Sequence, residues 1–197
     1  MSAPITTGNA AWWHTVLDRL SELILHSPGL ADQRSRVPAD AIERNTLLRP
    51  GASAEELAEL ETRIGRPYSA SLRTLLQASN GFAIFGQHLG RLLTAAEIDW
   101  FPKRNPVAAQ EIEDYLKQGN PKRPPYAKDP KWTVDIPLHA IEITESFNGA
   151  TLLLHPRRGR GGGEWDIWLY KPGSATRIAM LTDFLEQELR ALSKHAE

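Results

Sequence analysis

The sequence contains no cysteine, which removes disulfides, thiolate nucleophiles and cysteine-ligated zinc from consideration. It has almost no surplus of either charge: 23 Lys and Arg face 24 Asp and Glu, a formal net charge of −1. A dedicated nucleic-acid binder carries a marked basic excess that displaces counterions from phosphates, so nucleic acid is not the expected partner. No stretch approaches the roughly 20 apolar residues that cross a bilayer. The opening MSAPITTGNAAWWHTV has neither a basic leader nor a long apolar run, so a cytoplasmic location is the expectation. What is present is 197 residues, 41% hydrophobic and 24% charged, enough for one sizeable core and short for two.

Periodicity places the helices. In AWWHTVLDRLSELIL, residues 11–25, Trp13, Val16, Leu17, Leu20 and Ile24 recur at helical spacing, opposite Asp18, Arg19 and Glu22. Pro28, Pro38 and Pro50 interrupt residues 27–50, predicting a connector with a short helical piece. Ser53 and Glu56 then have the spacing of a capping box. Leu57, Leu60 and Ile64 form the stripe of the helix it opens, and Gly65 with Pro67 is its stop signal. Ser69 or Ser71 caps a second helix with Leu72, Leu75 and Leu76 inward, closed by Asn80-Gly81. A third begins at Asn105-Pro106, with Ala108, Ile112, Tyr115 and Leu116 on one face.

The strands come late. Residues 82–93 read as extended, with Leu89, Leu92 and Leu93 predicted to supply a first strand, and Thr94 and Glu97 box a short turn ending near Trp100. Residues 118–137 hold five prolines and read as a long irregular loop. Ile141 and Ile143 alternate with polar residues, and Asn148-Gly149 separates them from TLLLH as a hairpin signal. EWDIWLY puts Trp165, Ile167 and Leu169 on one face and Trp168 and Tyr170 on the other, so both faces are partly covered. A turn at Lys171-Pro172-Gly173-Ser174 leads to ATRIAM. Thr182 is the predicted cap of a closing helix with Leu185, Leu189 and Leu192 inward. Hairpins in series with helices on either side predict an α+β fold with a mostly antiparallel sheet. Residues 1–44 are the expected helical extension, packed on the same domain as 45–197.

The run from Pro50 to Phe82, PGASAEELAELETRIGRPYSASLRTLLQASNGF, resembles the Smi/Knr branch of the SUKH superfamily. Asn148-Gly149, LLLHPR, GEWDIWLY and DFLEQEL look like that family's C-terminal hairpins and last helix, extending the likeness over residues 45–193. The family usually has Leu-Pro where this chain has Tyr68-Ser69, predicting a different start for the second helix. The resemblance implies an α+β domain that binds proteins without catalysis. Bacterial members are similar to immunity proteins that sit on polymorphic toxins, often nucleases, while fungal members regulate cell-wall synthesis. It also implies a structural role for Glu61, at a position the family usually fills with Glu.

The candidate chemistry is sparse. His14, His26, His88, His139, His155 and His195 fall at no ligand spacing, so neither a metal nor another cofactor is expected. HPRRGRGGGE suggests an anion-binding loop, but it lacks the GxxxxGK[ST] pattern and a strand comes after it where a phosphate loop needs a helix. Glu55, Glu56 and Glu59, and then Glu111, Glu113 and Asp114, form acidic helix faces suited to steering onto a basic partner. The bland alternative is solvated helix surface. Trp100, Trp132 and Trp168 lie near loops or on the second sheet face, where an exposed aromatic anchors partners; the alternative there is core. The expected function is therefore a non-enzymatic immunity protein acting by steric occlusion. A regulatory scaffold for a host protein or small ligand is the second reading, and an enzyme using the Arg157–Gly163 loop on a phosphorylated substrate the third.

Overall fold

The structure, a computed structural model, describes residues 9–123, 129, 131–156, 163–172 and 174–196. Helix α1 (Ala10–His26) buries the predicted stripe, and Asn9 caps it by accepting from Trp12 N–H at 2.9 Å. The connector folds into α2 (Ala31–Arg34) and α3 (Ala39–Glu43). Helix α4 (Ala54–Ile64) opens with the predicted box. Ser53 N–H donates to Glu56 Oε2 at 2.8 Å, and Glu56 N–H to Ser53 Oγ at 3.2 Å. Each such cap stabilises a helix by about 1 kcal/mol. Gly65 ends α4 at φ 75°, the left-handed conformation that a side chain would strain.

Helix α5 (Ala70–Ala78) starts where predicted but is capped differently. Neither Ser69 nor Ser71 caps it with its own oxygen. Both hydroxyls instead donate to Glu164 Oε2, at 2.5 and 2.7 Å, and Ser71 N–H donates to Glu164 Oε1 at 2.9 Å. A carboxylate from just before a distant strand thus satisfies the helix N-terminus. Asn80-Gly81 lies just beyond α5, with Gly81 at φ 98°.

Residues 82–93 form no strand. Phe82 and Leu92 make single bridges to each other, to Leu48 and to Thr144, and Arg36 ties the bend down through Gln87 O and Leu89 O. The sheet proper starts at β1 (Asp99–Trp100), followed by α6 (Phe101–Arg104), α7 (Pro106–Lys117), β2 (Ile141–Glu142), β3 (Thr151–His155), β4 (Asp166–Lys171) and β5 (Ser174–Ile178). Its order is β1-β2-β3-β4-β5, every pair antiparallel. The β2–β3 connection, residues 143–150, ends in a two-residue turn with Asn148 at φ 49° and Gly149 at φ 76°, closed by reciprocal Phe147–Ala150 hydrogen bonds of 2.9 Å. Helix α8 (Leu181–Ser193) begins one residue before Thr182, with Met180 at the cap and no side-chain bond there. The Thr182 prediction fails because Thr182 already lies inside the first turn. Gly173 and residues 157–162 lie outside the described residues, as do 124–128 and 130 of the proline-rich stretch.

The sheet is covered on both faces. Ile141, Leu152, Leu154, Ile167 and Ile178 face a large core shared with α1, α4, α5 and α8. Residues 10–43 belong to that core: Trp13 is fully buried, and its Nε1–H donates to Thr74 Oγ1 at 2.8 Å. The opposite face carries Leu153, Trp168 and Tyr170 beneath Phe101, Trp132, Ile136 and Ala140. The fold is therefore α+β, a five-stranded antiparallel sheet between helices.

Candidate functional site

The second sheet face ends in a cavity of about 320 Å³ between α7 and the sheet. Helix α7 builds one wall because it is only lightly packed: Ala109 is its one buried residue, and Ala108, Ile112 and Tyr115 are half-buried above the gap. Trp132 and Tyr170 form the apolar floor, their ring centroids 5.8 Å apart, and Phe101 meets Tyr170 edge-on at 5.6 Å. The charged residues lining the cavity are Glu111 and Glu142, both acids, with no Lys or Arg among the described lining.

Glu142 is 2% exposed. Strand alternation sends it to the second face, while Ile141 and Ile143 point to the large core. Its Oε2 accepts from Arg104 Nε at 2.8 Å and Asn105 Nδ2 at 2.9 Å. Its Oε1 accepts no hydrogen bond from the described residues. Burial raises the pKa of the Tyr170 hydroxyl, and the nearby charge of Glu111 raises it further. Trp132 Nε1–H is buried with no acceptor among the described residues.

Two other hollows flank the far end of the same face. One, of about 120 Å³, is lined by Asp135, His139, His155, Asp166 and Trp168. There Asp166 pairs with Arg177, and Lys122 Nζ donates to Asp135 at 3.1 Å. Burial works to raise the Asp135 pKa, but hydrogen bonds from Thr133 and Lys122 outweigh it and the net shift is downward. A broader depression of about 520 Å³ runs from Arg66 and Trp100 to His139, His155 and Pro156. Among the described residues, no three His, Asp or Glu side chains are placed to hold a metal ion.

The acids singled out from the sequence separate into three groups. Glu55 and Glu59 are exposed on α4; Glu55 is held below the usual carboxylate range by its own backbone N–H and by Ser53. Glu56 is not a free surface acid. It is half-buried, bonded to Ser53 N–H, and accepts from Asn80 Nδ2 at 2.9 Å. Glu113 and Asp114 are exposed beside Lys117, each 3.4 Å from its ammonium, whereas Glu111 lines the cavity. Glu61 pairs with Arg73, joining α4 to α5.

The tryptophan expectations need correction. Trp132 and Trp168 are each 2% exposed, so neither is a surface anchor. They pack against each other with centroids 5.7 Å apart and planes tilted by 51°, because segment 131–140 closes over the second sheet face. Trp100 is half-buried on the rim of the broad depression, with the Arg66 guanidinium 6.0 Å above its ring. Of the predicted partner-binding residues, the cavity gathers Glu111 and Trp132. It adds Glu142, Tyr115 and Tyr170, which were not singled out as site residues. A glutamate between two isoleucines of a strand, on the face of Trp168 and Tyr170, was the available signal for Glu142. The arginine-glycine loop falls mostly outside the described residues, so the phosphate reading gains no support from them.

No protein-family model matches the chain, and no curated protein matches it. No helix among the described residues is long and apolar enough to cross a membrane.

Proposed function

We propose that this chain is a protein-binding module of the SUKH kind and acts as an immunity protein, covering the active site or substrate path of a cognate toxin. The observation that carries this reading is the cavity between α7 and the sheet. It is concave, lined mainly by apolar side chains with a few polar groups, and bordered by the acidic surface of α7. Such hollows are the default places for binding, and an acidic border favours a basic partner.

The motif residues support the same reading. Glu56 accepts from both Ser53 N–H and Asn80 Nδ2, and Glu61 bonds to Arg73. These groups hold two helices in a fixed relation, which is what a preorganised binding surface needs.

The test is co-expression with the product of the adjacent reading frame. The expected result is rescue of growth and a stable one-to-one complex burying about 800 Å² per partner. Failure both to form a complex and to rescue growth removes the immunity reading and leaves the fold unaffected.

A further inference from the structure

We infer that the cavity between α7 and the sheet receives an arginine side chain of the partner, its guanidinium meeting Glu142 and Glu111 against the aromatic floor. Assigning that arginine to a partner protein rests on the function proposed above; the selectivity of the cavity does not.

Three observations carry the inference. The first is charge: the acidic side chains of Glu111 and Glu142 are the charged residues of the described lining. The second is an incomplete buried site. Glu142 has a side chain 3% exposed, one oxygen held by Arg104 and Asn105, and the other without a donor among the described residues. The fully enclosed, unpartnered side-chain atoms among the described residues are Tyr68 Oη and Trp132 Nε1, so Glu142 Oε1 keeps contact with open space and its lone pairs are free for a donor that enters the cavity. Arg104 neutralises one carboxylate of the pair, so the cavity keeps net negative character through Glu111.

The third is the shape and composition of the walls. Tyr115, Trp132 and Tyr170 offer aromatic surface beside the two acids. A guanidinium is planar, weakly hydrated and able to stack on a ring while its edge donates to a carboxylate. An ammonium is a compact, strongly hydrated charge and loses more on entering an apolar hollow. At about 320 Å³ the space sits at the small end of ligand pockets, which span about 300–1,000 Å³. It suits one long side chain better than a large cofactor.

The full chain, labelled with nitrogen-15, is titrated with N-acetyl-arginine methylamide, and in parallel with the lysine and norleucine analogues. Saturable shifts are expected at the Trp132 indole and the Ile112 and Tyr170 amides, with arginine favoured over lysine by about fivefold. Glu111→Gln, a change on the exposed side of the opening, is expected to weaken arginine binding about threefold to tenfold and leave the rest of the spectrum in place. Glu142→Gln is expected to weaken it at least as much. Equal binding of norleucine and arginine overturns the inference, as does the absence of saturable shifts in the cavity. If a toxin complex forms and Glu111→Gln leaves its affinity unchanged, the arginine assignment falls while the binding function stands. If no toxin complex exists, the titration still decides the selectivity of the cavity.

Discussion

The side-chain amide of Asn80 donates to Glu56 Oε1 at 2.9 Å, so the residue just past the end of α5 and the third residue of α4 hold each other. Asn80 also accepts from Ala95 N–H at 2.7 Å through Oδ1. One side chain therefore fixes three segments: the start of α4, the end of α5, and the turn that leads to β1.

Replacing Asn80 with Ala removes both bonds and is expected to cost about 1–3 kcal/mol. Glu56→Ala is expected to cost about 1–2 kcal/mol through the lost cap. The double variant should lose less than the sum, since the two residues share a bond. Urea midpoints of the four proteins check this.

Glu164 should matter more than any exposed acid. Its loss leaves the Ser71 N–H and one of the two serine hydroxyls without an acceptor, the hydroxyls of Ser69 and Ser71 lying 2.9 Å apart at two residues each 1% exposed. Glu164→Ala is expected to destabilise by about 2–4 kcal/mol, and to speed hydrogen exchange in the first turn of α5. Glu59→Ala, on open surface, should stay within about 0.5 kcal/mol. Equal effects from the two would contradict the arrangement.

The pair of Arg91 and Glu97 predicts an acid-side loss of stability. Hydrogen bonds from Arg91 hold the Glu97 carboxyl at about 2 in the fold, against 4.5 for the free side chain, with Thr94 contributing and burial opposing. A depressed carboxyl pKa contributes fully above the unfolded value and is lost as the proton returns in the folded state. The contribution is thus complete above pH 4.5 and fades as pH falls toward 2. Arg91→Ala is expected to be less stable at pH 7, and the gap to the parent should narrow steadily over that window. A gap independent of pH would refute the pairing.

Trp168→Ala opens a void between β4 and segment 131–140 and is expected to cost about 3–5 kcal/mol. Trp100→Ala, at a half-buried rim, should cost clearly less. Thermal unfolding of both variants separates a core role from a surface role. The reverse order would reinstate Trp168 as an exposed anchor.

The α4 and α5 region was legible because its signals are local: a cap and its partner lie three residues apart, and a glycine marks the stop. Glu164 was not, since its partners lie 93 and 95 residues away and no periodicity connects them. Met180 caps α8 without a side-chain hydrogen bond, leaving no polar signal, so the nearby Thr182 drew the prediction instead. The strand alternation of Trp168 and Tyr170 announced a covered second face. What covered it stayed hidden, because segment 131–140 packs through irregular turns that obey neither a helical nor a strand period. The cavity inherits part of that obscurity: Tyr170 and the α7 face above it were readable, while the place of Trp132 in the floor was not.

Strand β3 is buried at every position, with Leu152 and Leu154 in one core and Leu153 in the other. In a strand with one wet face, a slip by a single residue exposes the apolar set and is rejected at once. Here a slip would exchange leucine for leucine, so TLLLH carries no phase of its own. The count must come from outside it: from the Asn148-Gly149 bend, from the Thr144–Thr151 hydroxyl contact of 3.1 Å, and from His155 opposite Asp166. The hairpin tip thus serves as the ruler for the whole sheet, and one residue inserted there would misalign both cores together.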